Sequence, residues 1–321
     1  MDYQPLVSII IITYNSAEFV VETLDSALAQ TYPNIEIIVT DDCSTDNTVE
    51  VCKGWMEQYQ YSGVRMEIIK AEKNTGTAGN CNRGLNVAQG KWIKLIAGDD
   101  ILLPDAIESY YEYVSEAKGD VDVVFGKLSI FSGRSSDRTV EQCEPKYKKI
   151  FYLDPKITAK KQYSILSHTF VGSGPTFFCK TAVLKSLGGY DTRFYLQEDW
   201  PMFIKLAKNG HRFYLLDKVV VLWRKNENSV THSKGGKSVL FGSHRIRMVK
   251  EYKYEYLNEE LNTIWRRLLQ FSLWMQNKVI DTGNSYNNKK SVFYFYLYRA
   301  LDPFIWYSRT LSMRDRLINI K

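Results

Sequence analysis

Apolar and polar positions in the first part of the chain alternate between two rhythms. Short unbroken runs, Val7-Ser8-Ile9-Ile10-Ile11-Ile12-Thr13, Ile35 to Thr40, Val64 to Ala71 and Trp92 to Ala97, are rich in β-branched residues. Such runs predict strands covered on both faces. Between them, apolar residues recur at helical spacing: Phe19, Val20, Thr23, Leu24, Ala27 and Leu28 before Pro33; Val49, Cys52, Trp55, Met56 and Tyr59; Ala78, Cys81, Leu85 and Ala88 before Gly90. Asn15 with Glu18 three residues on has the form of a capping box, and Ser44, Thr45 and Asp46 offer caps for the second helix. A helix after Pro104 and a strand near Val121 to Phe125 complete the alternation. Repeated β-α-β units predict a mostly parallel sheet flanked by helices, with ligands bound beyond the carboxyl ends of its strands.

The second half is less regular. Residues 132–148 are polar and charged and predict a loop. Thr176 to Cys179 has strand character, Thr181 to Leu187 a helix closed by Gly188-Gly189, and Phe213 to Trp223 a further strand. Glu198-Asp199-Trp200-Pro201 opens a helix through Ala207, with Asp199 near the N-cap and Pro201 in the first turn. Ser233-Lys234-Gly235-Gly236-Lys237 is the most linker-like stretch, so the domains are expected at 1–237 and 238–321. The second reads helical, with Ile264, Leu268, Phe271 and Met275 at helical spacing.

Composition narrows the class. A chain of 321 residues with 45% hydrophobic and 24% charged residues is a folded protein with room for a full core, which excludes disordered and collagenous classes. Five cysteines without a CxxC pair, and four scattered histidines, argue against zinc and disulfide frameworks. Reduced thiols, no basic leader before the first apolar run and no apolar stretch long enough to span a bilayer lead to a cytoplasmic expectation. The formal charge of +6 is uneven: from Phe241 onward, 14 Lys and Arg face 7 Asp and Glu, so the rest of the chain nets −1. That region also holds 16 aromatic residues. Trp265-Arg266-Arg267, Tyr298-Arg299, Tyr307-Ser308-Arg309 and Arg314 to Arg316 mix rings with cations, which suits a membrane interface or a dimer contact and not a nucleic-acid-binding body.

Three polar clusters fall at strand ends: Thr13-Tyr14-Asn15, Asp41-Asp42 and Asp99-Asp100. Adjacent carboxylates such as Asp99 and Asp100 point in different directions, so one can hold a hard cation, Mg²⁺ or Mn²⁺, while its neighbour holds a hydroxyl; a turn before Pro104 would use them as caps. Asp42 can accept from a base N–H or a ribose hydroxyl, or close an Asx-turn. Glu198-Asp199 is either a cap favoured by the helix dipole or a general base. Asn74-Thr75-Gly76-Thr77-Ala78-Gly79 is no GxGxxG after the first strand, and neither a P-loop nor a GxSxG elbow occurs.

The order of these segments resembles family 2 glycosyltransferases of the GT-A fold over Pro5 to Ser233. It rests on Val7 to Asn15, Val39 to Thr48, Asn74-x-Gly76 with Asn82-x-Gly84, Ala97-Gly98-Asp99-Asp100, Gly188-Gly189-Tyr190-Asp191 and Glu198-Asp199-Trp200. The resemblance implies an inverting transferase that uses a nucleotide-diphosphate sugar, a UDP-sugar by family habit, and Mn²⁺ or Mg²⁺. Thr13 and Asp42 would line the base pocket with Tyr14 and Asn15 nearby. Asp99 would hold the ribose, and Asp100, with Asp99, the metal. Asp199 would be the catalytic base and Glu198 would support the acceptor. Trp223-Arg224 and Asn228 to His232 resemble the loop that closes over the diphosphate. Ala97 stands where many members carry Asp, and Cys81 where Arg precedes Asn82, which leaves Lys73 or Arg83 to neutralise the diphosphate. The Gln-x-x-Arg-Trp motif of processive synthases is absent, so transfer of one sugar is expected. The acceptor implied is a glycan, lipid-linked at the inner membrane face, in bacterial surface polysaccharide synthesis. The rivals are a sugar nucleotidyltransferase, and a non-catalytic sugar-nucleotide sensor or membrane scaffold.

Overall fold

The computed structural model describes residues 4–117, 120–134, 139–167, 169–195, 198–225 and 263–317. The chain divides into two compact units, one of residues 1–166 and 170–226, the other of 167–169 and 227–321. The boundary expected at 237/238 lies outside the described residues.

The first unit opens with alternating strands and helices: β1 (Val7–Thr13), α1 (Val20–Leu28), β2 (Ile35–Asp41), α2 (Thr48–Gln58), β3 (Arg65–Lys70), α3 (Gly76–Val87) and β4 (Trp92–Ala97). It continues with β5 (Ile101–Leu102), α4 (Ala106–Glu116), β6 (Val123–Ser132), β7 (Thr139–Cys143), α5 (Ala159–Leu166), β8 (Phe177–Lys180), α6 (Thr181–Ser186), α7 (Asp199–Lys208) and β9 (Phe213–Arg224). One sheet takes the order β3-β2-β1-β4-β8-β6-β9-β5, with β7 added on β6. The β3-β2-β1-β4 half is parallel, as the β-α-β pattern requires. Beyond β4 the sheet is mixed: β8 runs antiparallel to both β4 and β6, while β9 is parallel to β6.

The unbroken apolar runs are explained by burial on both faces. Val7, Ile9 and Ile11 of β1 join Val20, Leu24 and Ala27 of α1, Trp55 of α2 and Tyr110 of α4 in one core. Ile10 points the other way, onto α3, whose Gly84 lies so close that a Cβ there would overlap the Ile10 side chain. This approach accounts for a helix with three glycines and poor intrinsic propensity: packing, worth about 1.5–3 kcal/mol per buried aliphatic side chain, overrides it.

Several expectations are corrected here. Asn15 does not cap α1, which begins at Val20 without a side-chain cap. Residues 132–148 are not all loop, because β7 pairs antiparallel with β6. Five polar-rich residues held by backbone pairing leave too short a pattern to read.

The second unit contains α8 (Thr263–Asp281), α9 (Lys289–Leu301) and α10 (Pro303–Leu317). Asn288 caps α9 by accepting from the Lys290 and Ser291 amides, and Asp302 caps α10 by accepting from those of Phe304 and Ile305. Leu269, Leu273, Met275 and Val279 of α8 are buried. Of the stripe expected through Ile264, Leu268, Phe271 and Met275, Met275 is buried and Leu268 half-buried, whereas Ile264 and Phe271 are exposed. No helix among the described residues is long and apolar enough to cross a membrane.

Candidate active site

Three neighbouring strands, β1, β2 and β4, end in the polar clusters. The Asp42 amide donates to the Thr13 carbonyl (3.0 Å) and the Gly98 amide to that of Ile12 (2.9 Å), so the strands stay in register past their ends. Gly98 permits this approach; a Cβ there would lie 2.8 Å from Thr13 Cγ2. Thr13 is buried and its hydroxyl donates to Asp41 Oδ2 (3.0 Å). Asn15 takes a left-handed conformation (φ 51°), its Oδ1 accepting from the Thr45 amide (2.9 Å) and its amide donating to Ser44 Oγ (2.8 Å). It thus ties the β1 turn to the β2 turn. Tyr14 stands exposed at their rim.

Asp42 is buried and densely held. Its Oδ1 accepts from the Thr75 amide (3.0 Å), Thr75 Oγ1 (2.8 Å) and Arg83 Nη2 (2.5 Å), and its Oδ2 from the Gly76 amide (2.7 Å). Arg83 also donates to Asn80 Oδ1 (3.0 Å) and Thr75 Oγ1 (2.7 Å). Its guanidinium is therefore engaged in bracing Asp42, while Lys73 is exposed. Gly76 (φ +77°) lies against Tyr195, whose carbonyl accepts from the Thr77 amide (2.8 Å). Asn82 exchanges two hydrogen bonds with the Tyr190 backbone, both 2.8 Å. These contacts fasten the segment before α7 to α3.

Asp100 is buried, and its Oδ1 accepts from the Arg224 amide (2.9 Å). Its Oδ2 is buried without a hydrogen-bond partner. Desolvation, then the charge of Asp99, pushes the Asp100 carboxyl well above the usual carboxylate range, and desolvation raises Asp99 as well. An unsatisfied carboxylate oxygen in a desolvated acidic pair is a poor structural cap and a good seat for a hard cation. The residues therefore fit Mg²⁺ or Mn²⁺. No cluster of three or more His, Cys, Asp or Glu side chains able to hold a metal occurs among the described residues.

Arg224 sits on β9, not on an open loop. Its Nε donates to the Asp99 carbonyl (2.7 Å), Nη1 to the Gly133 carbonyl and Nη2 to Glu22 (3.1 Å). The guanidinium lies 4.3 Å from the Phe19 ring centroid and 4.4 Å from that of Phe131. Fully engaged in this way, it braces the Asp99–Asp100 turn. Trp223, beside it, pairs with Ile130 of β6. The segment Asn228 to His232 lies outside the described residues.

Glu198 and Asp199 are adjacent at the start of α7. Asp199 Oδ1 accepts from the Trp200 amide (2.7 Å), and the Trp200 indole donates to the Leu166 carbonyl (2.9 Å), which anchors the first turn. Desolvation pushes the Asp199 carboxyl up to about 6; desolvation and the Asp199 charge push Glu198 up to about 8. Cys81, buried on α3, is raised by desolvation and by the charges of both acids, which brings it into their surroundings.

Two residues of this arrangement were missed by pattern reading. Asn80 on α3 donates to the Thr13 carbonyl (3.1 Å), and Lys94, buried on β4, donates to the carbonyls of Leu95 (2.8 Å) and Pro175. The signal for Lys94 was a lone cation inside the run Trp92 to Ala97, where both faces are covered. Contacts run from Asp42 through Thr13 and Gly98 to the Asp99–Asp100 turn, and Lys94 on the same strand donates to Pro175, beside the Gly174 that faces Asp199.

A sheet whose parallel half ends in paired acids, with a carboxyl pair opening a helix nearby, is the frame of a GT-A-type sugar transferase. The family model for glycosyl transferase family 2 matches residues 8–188, and the chain belongs to that family. Over 240 residues it is 25% identical to TuaG of Bacillus subtilis, named as a teichuronic acid biosynthesis glycosyltransferase, covering 73% of this chain and 84% of TuaG. The fold matches the structure of TarS residues 1–349 from S. aureus in complex with UDP-GlcNAc, with TM-score 0.57 and 19% identity over 96% of this chain and 88% of that one. It also matches the mannosyltransferase PcManGT from Pyrobaculum calidifontis in complex with GDP-Man and Mn²⁺, with TM-score 0.52 and 20% identity over 98% and 74% of the two chains.

Proposed function

We propose that this glycosyltransferase moves one sugar, with inversion, from a nucleotide-diphosphate sugar to a hydroxyl of a lipid-linked glycan in bacterial surface polysaccharide synthesis. A UDP-sugar is the donor favoured by the UDP-GlcNAc complex of TarS, and the polysaccharide assignment by the likeness to TuaG. The observation that carries the reading is the Asp199 carboxyl, desolvated and raised to about 6 at the mouth of α7. At neutral pH it is ionised, yet close enough to neutrality to take up a proton during turnover.

In this reading Thr13 and Asp42 flank the base, with Tyr14 and Asn15 at the rim, and Asp99 holds the ribose. Asn82 keeps the Tyr190 segment over α3, and Arg83 keeps Asp42 in place. Asp100, with Asp99, would hold Mn²⁺ or Mg²⁺, which when bound neutralises charge on the departing diphosphate. Asp199 removes the proton from the acceptor hydroxyl as that oxygen attacks the anomeric carbon from the face opposite the diphosphate. The bond to the diphosphate breaks, the nucleoside diphosphate leaves and the configuration inverts. Glu198, protonated at neutral pH, donates a hydrogen bond to the acceptor. The exposed Phe271, Trp274, Phe293, Tyr296 and Trp306, among cations such as Arg266, Arg299 and Arg309, support docking on an anionic membrane at its cytoplasmic face.

The test is release of nucleoside diphosphate from a panel of UDP-sugars with Mn²⁺, with and without EDTA. Metal-dependent release supports a transferase; binding without release at any pH supports the sensor reading instead.

A further inference from the structure

We propose that Lys94 is a positioning residue that fixes the Asp199 carboxyl by holding the turn against which it rests; this builds on the transferase reading above. Lys94 lies on β4, opposite Ile9 of β1 and Phe178 of β8, with no exposed surface. Burial pushes its ammonium down to about 7, opposed by the charge of Asp100, and such a group is costly unless its hydrogens are directed at acceptors. Here they are: the ammonium donates to Leu95 O on its own strand and to the carbonyl of Pro175, distant in sequence.

Pro175 sits in the tight turn Gly174–Thr176, closed by the Thr176 amide and hydroxyl, both donating to the Ser173 carbonyl (3.0 and 3.1 Å). Gly174 of this turn faces Asp199: a Cβ built on it would stand at ordinary contact distance, 3.5 Å from Oδ2 and 3.6 Å from Cβ of that residue. The path therefore runs from β4 through the Lys94 hydrogen bond to Pro175, and the adjoining Gly174 faces the carboxyl. The same strand leads directly to Asp99 and Asp100. One rigid element thereby sets the floor of the proposed base and the start of the proposed donor turn. An apolar side chain of equal length would fill the space but could not hold the turn.

The experiment compares the full chain with Lys94→Met, which keeps length but loses the donor, and Lys94→Gln, which keeps one N–H group. Calorimetry with UDP and Mn²⁺ counts competent sites, UDP release from UDP-sugars to water gives the rate per site against pH, and hydrogen exchange is followed over residues 170–176. We expect Lys94→Met to bind UDP within about twofold, release it at least tenfold more slowly per site, and shift the acid limb to lower pH as water reaches Asp199. Exchange over 170–176 should rise about tenfold, with Lys94→Gln between the two. A wild-type rate per site with an unmoved acid limb overturns the proposal, as does a loss wholly explained by weaker UDP binding. If Lys94→Met does not fold, Lys94→Gln with wild-type rate, limb and exchange overturns it equally. A native chain that releases no UDP speaks against the transferase reading, while unchanged exchange in the variants would still refute the tie between Lys94 and the turn.

Discussion

Replacing Asp199 by Asn separates catalysis from stability in opposite directions. The carboxyl is raised from 3.8 to about 6 by desolvation, and a shift of that size costs the folded chain on the order of 3 kcal/mol when the group ionises at neutral pH. Asp199 is partly exposed, so solvent screening leaves a net gain of about 1 kcal/mol when the charge is removed, or about 2–4 °C in Tm for a unit of this size. The sign follows from proton counting: the folded state holds protons on Asp199 and Glu198 that the unfolded state has lost. Their contribution to stability is therefore full below about pH 4 and declines as pH rises through about 6 and then about 8. Asp199→Asn should flatten the first part of that decline. Its rate of transfer should fall about 10²–10⁴-fold, the ordinary contribution of a general base, with UDP binding unchanged. Thermal denaturation at pH 5 and 8, UDP calorimetry and a release assay measure all three. Near-normal turnover would refute the base assignment, and a lower Tm at pH 8 would refute the desolvation argument.

Asp100→Asn should abolish the Mn²⁺ dependence of UDP binding in calorimetry while leaving the fold intact by circular dichroism, because its free Oδ2 is the seat proposed for the ion. Arg224→Met leaves Glu22 and the Asp99 carbonyl without their buried partner and should destabilise the chain by about 3–5 kcal/mol in urea titration. Gly76→Ala forces a left-handed residue against the Tyr195 carbonyl, and a loss of at least about 2 kcal/mol with weaker UDP binding is expected. Changing Trp274, Phe293 and Trp306 together to Ser should remove the chain from anionic vesicles in a flotation assay without altering UDP release; unchanged flotation, or a shift only in oligomeric state by light scattering, would favour a dimer contact.

Much of the first unit was legible because its strands are covered on both faces and its helices on one. That produced unbroken apolar runs against a helical period, and the acidic residues followed the runs directly. Asp42, Asp99 and Asp100 were expected beyond strand ends and Glu198-Asp199 at the opening of a helix, and the structure places them there. Arg224 was expected in a closing loop, and its place on β9 was not legible: a guanidinium held by Glu22, Asp99 and Gly133 draws on three distant segments. Arg83 reads as a free cation in one dimension and is paired with Asp42 in three.

The sequence by itself determined the β-α-β frame, the strand ends at which polar groups gather and the segregation of basic and aromatic residues toward the end of the chain, since each is a local property of spacing and composition. Tertiary structure decided the antiparallel insertion of β8 between β4 and β6, the pairing of β7 and the buried face of α8, because those depend on which distant surfaces meet. It also decided the state of each charge. Whether a carboxyl is capped, paired or left with an unpartnered oxygen is set by desolvation and by neighbours brought in from elsewhere, and neither is written in the residues beside it.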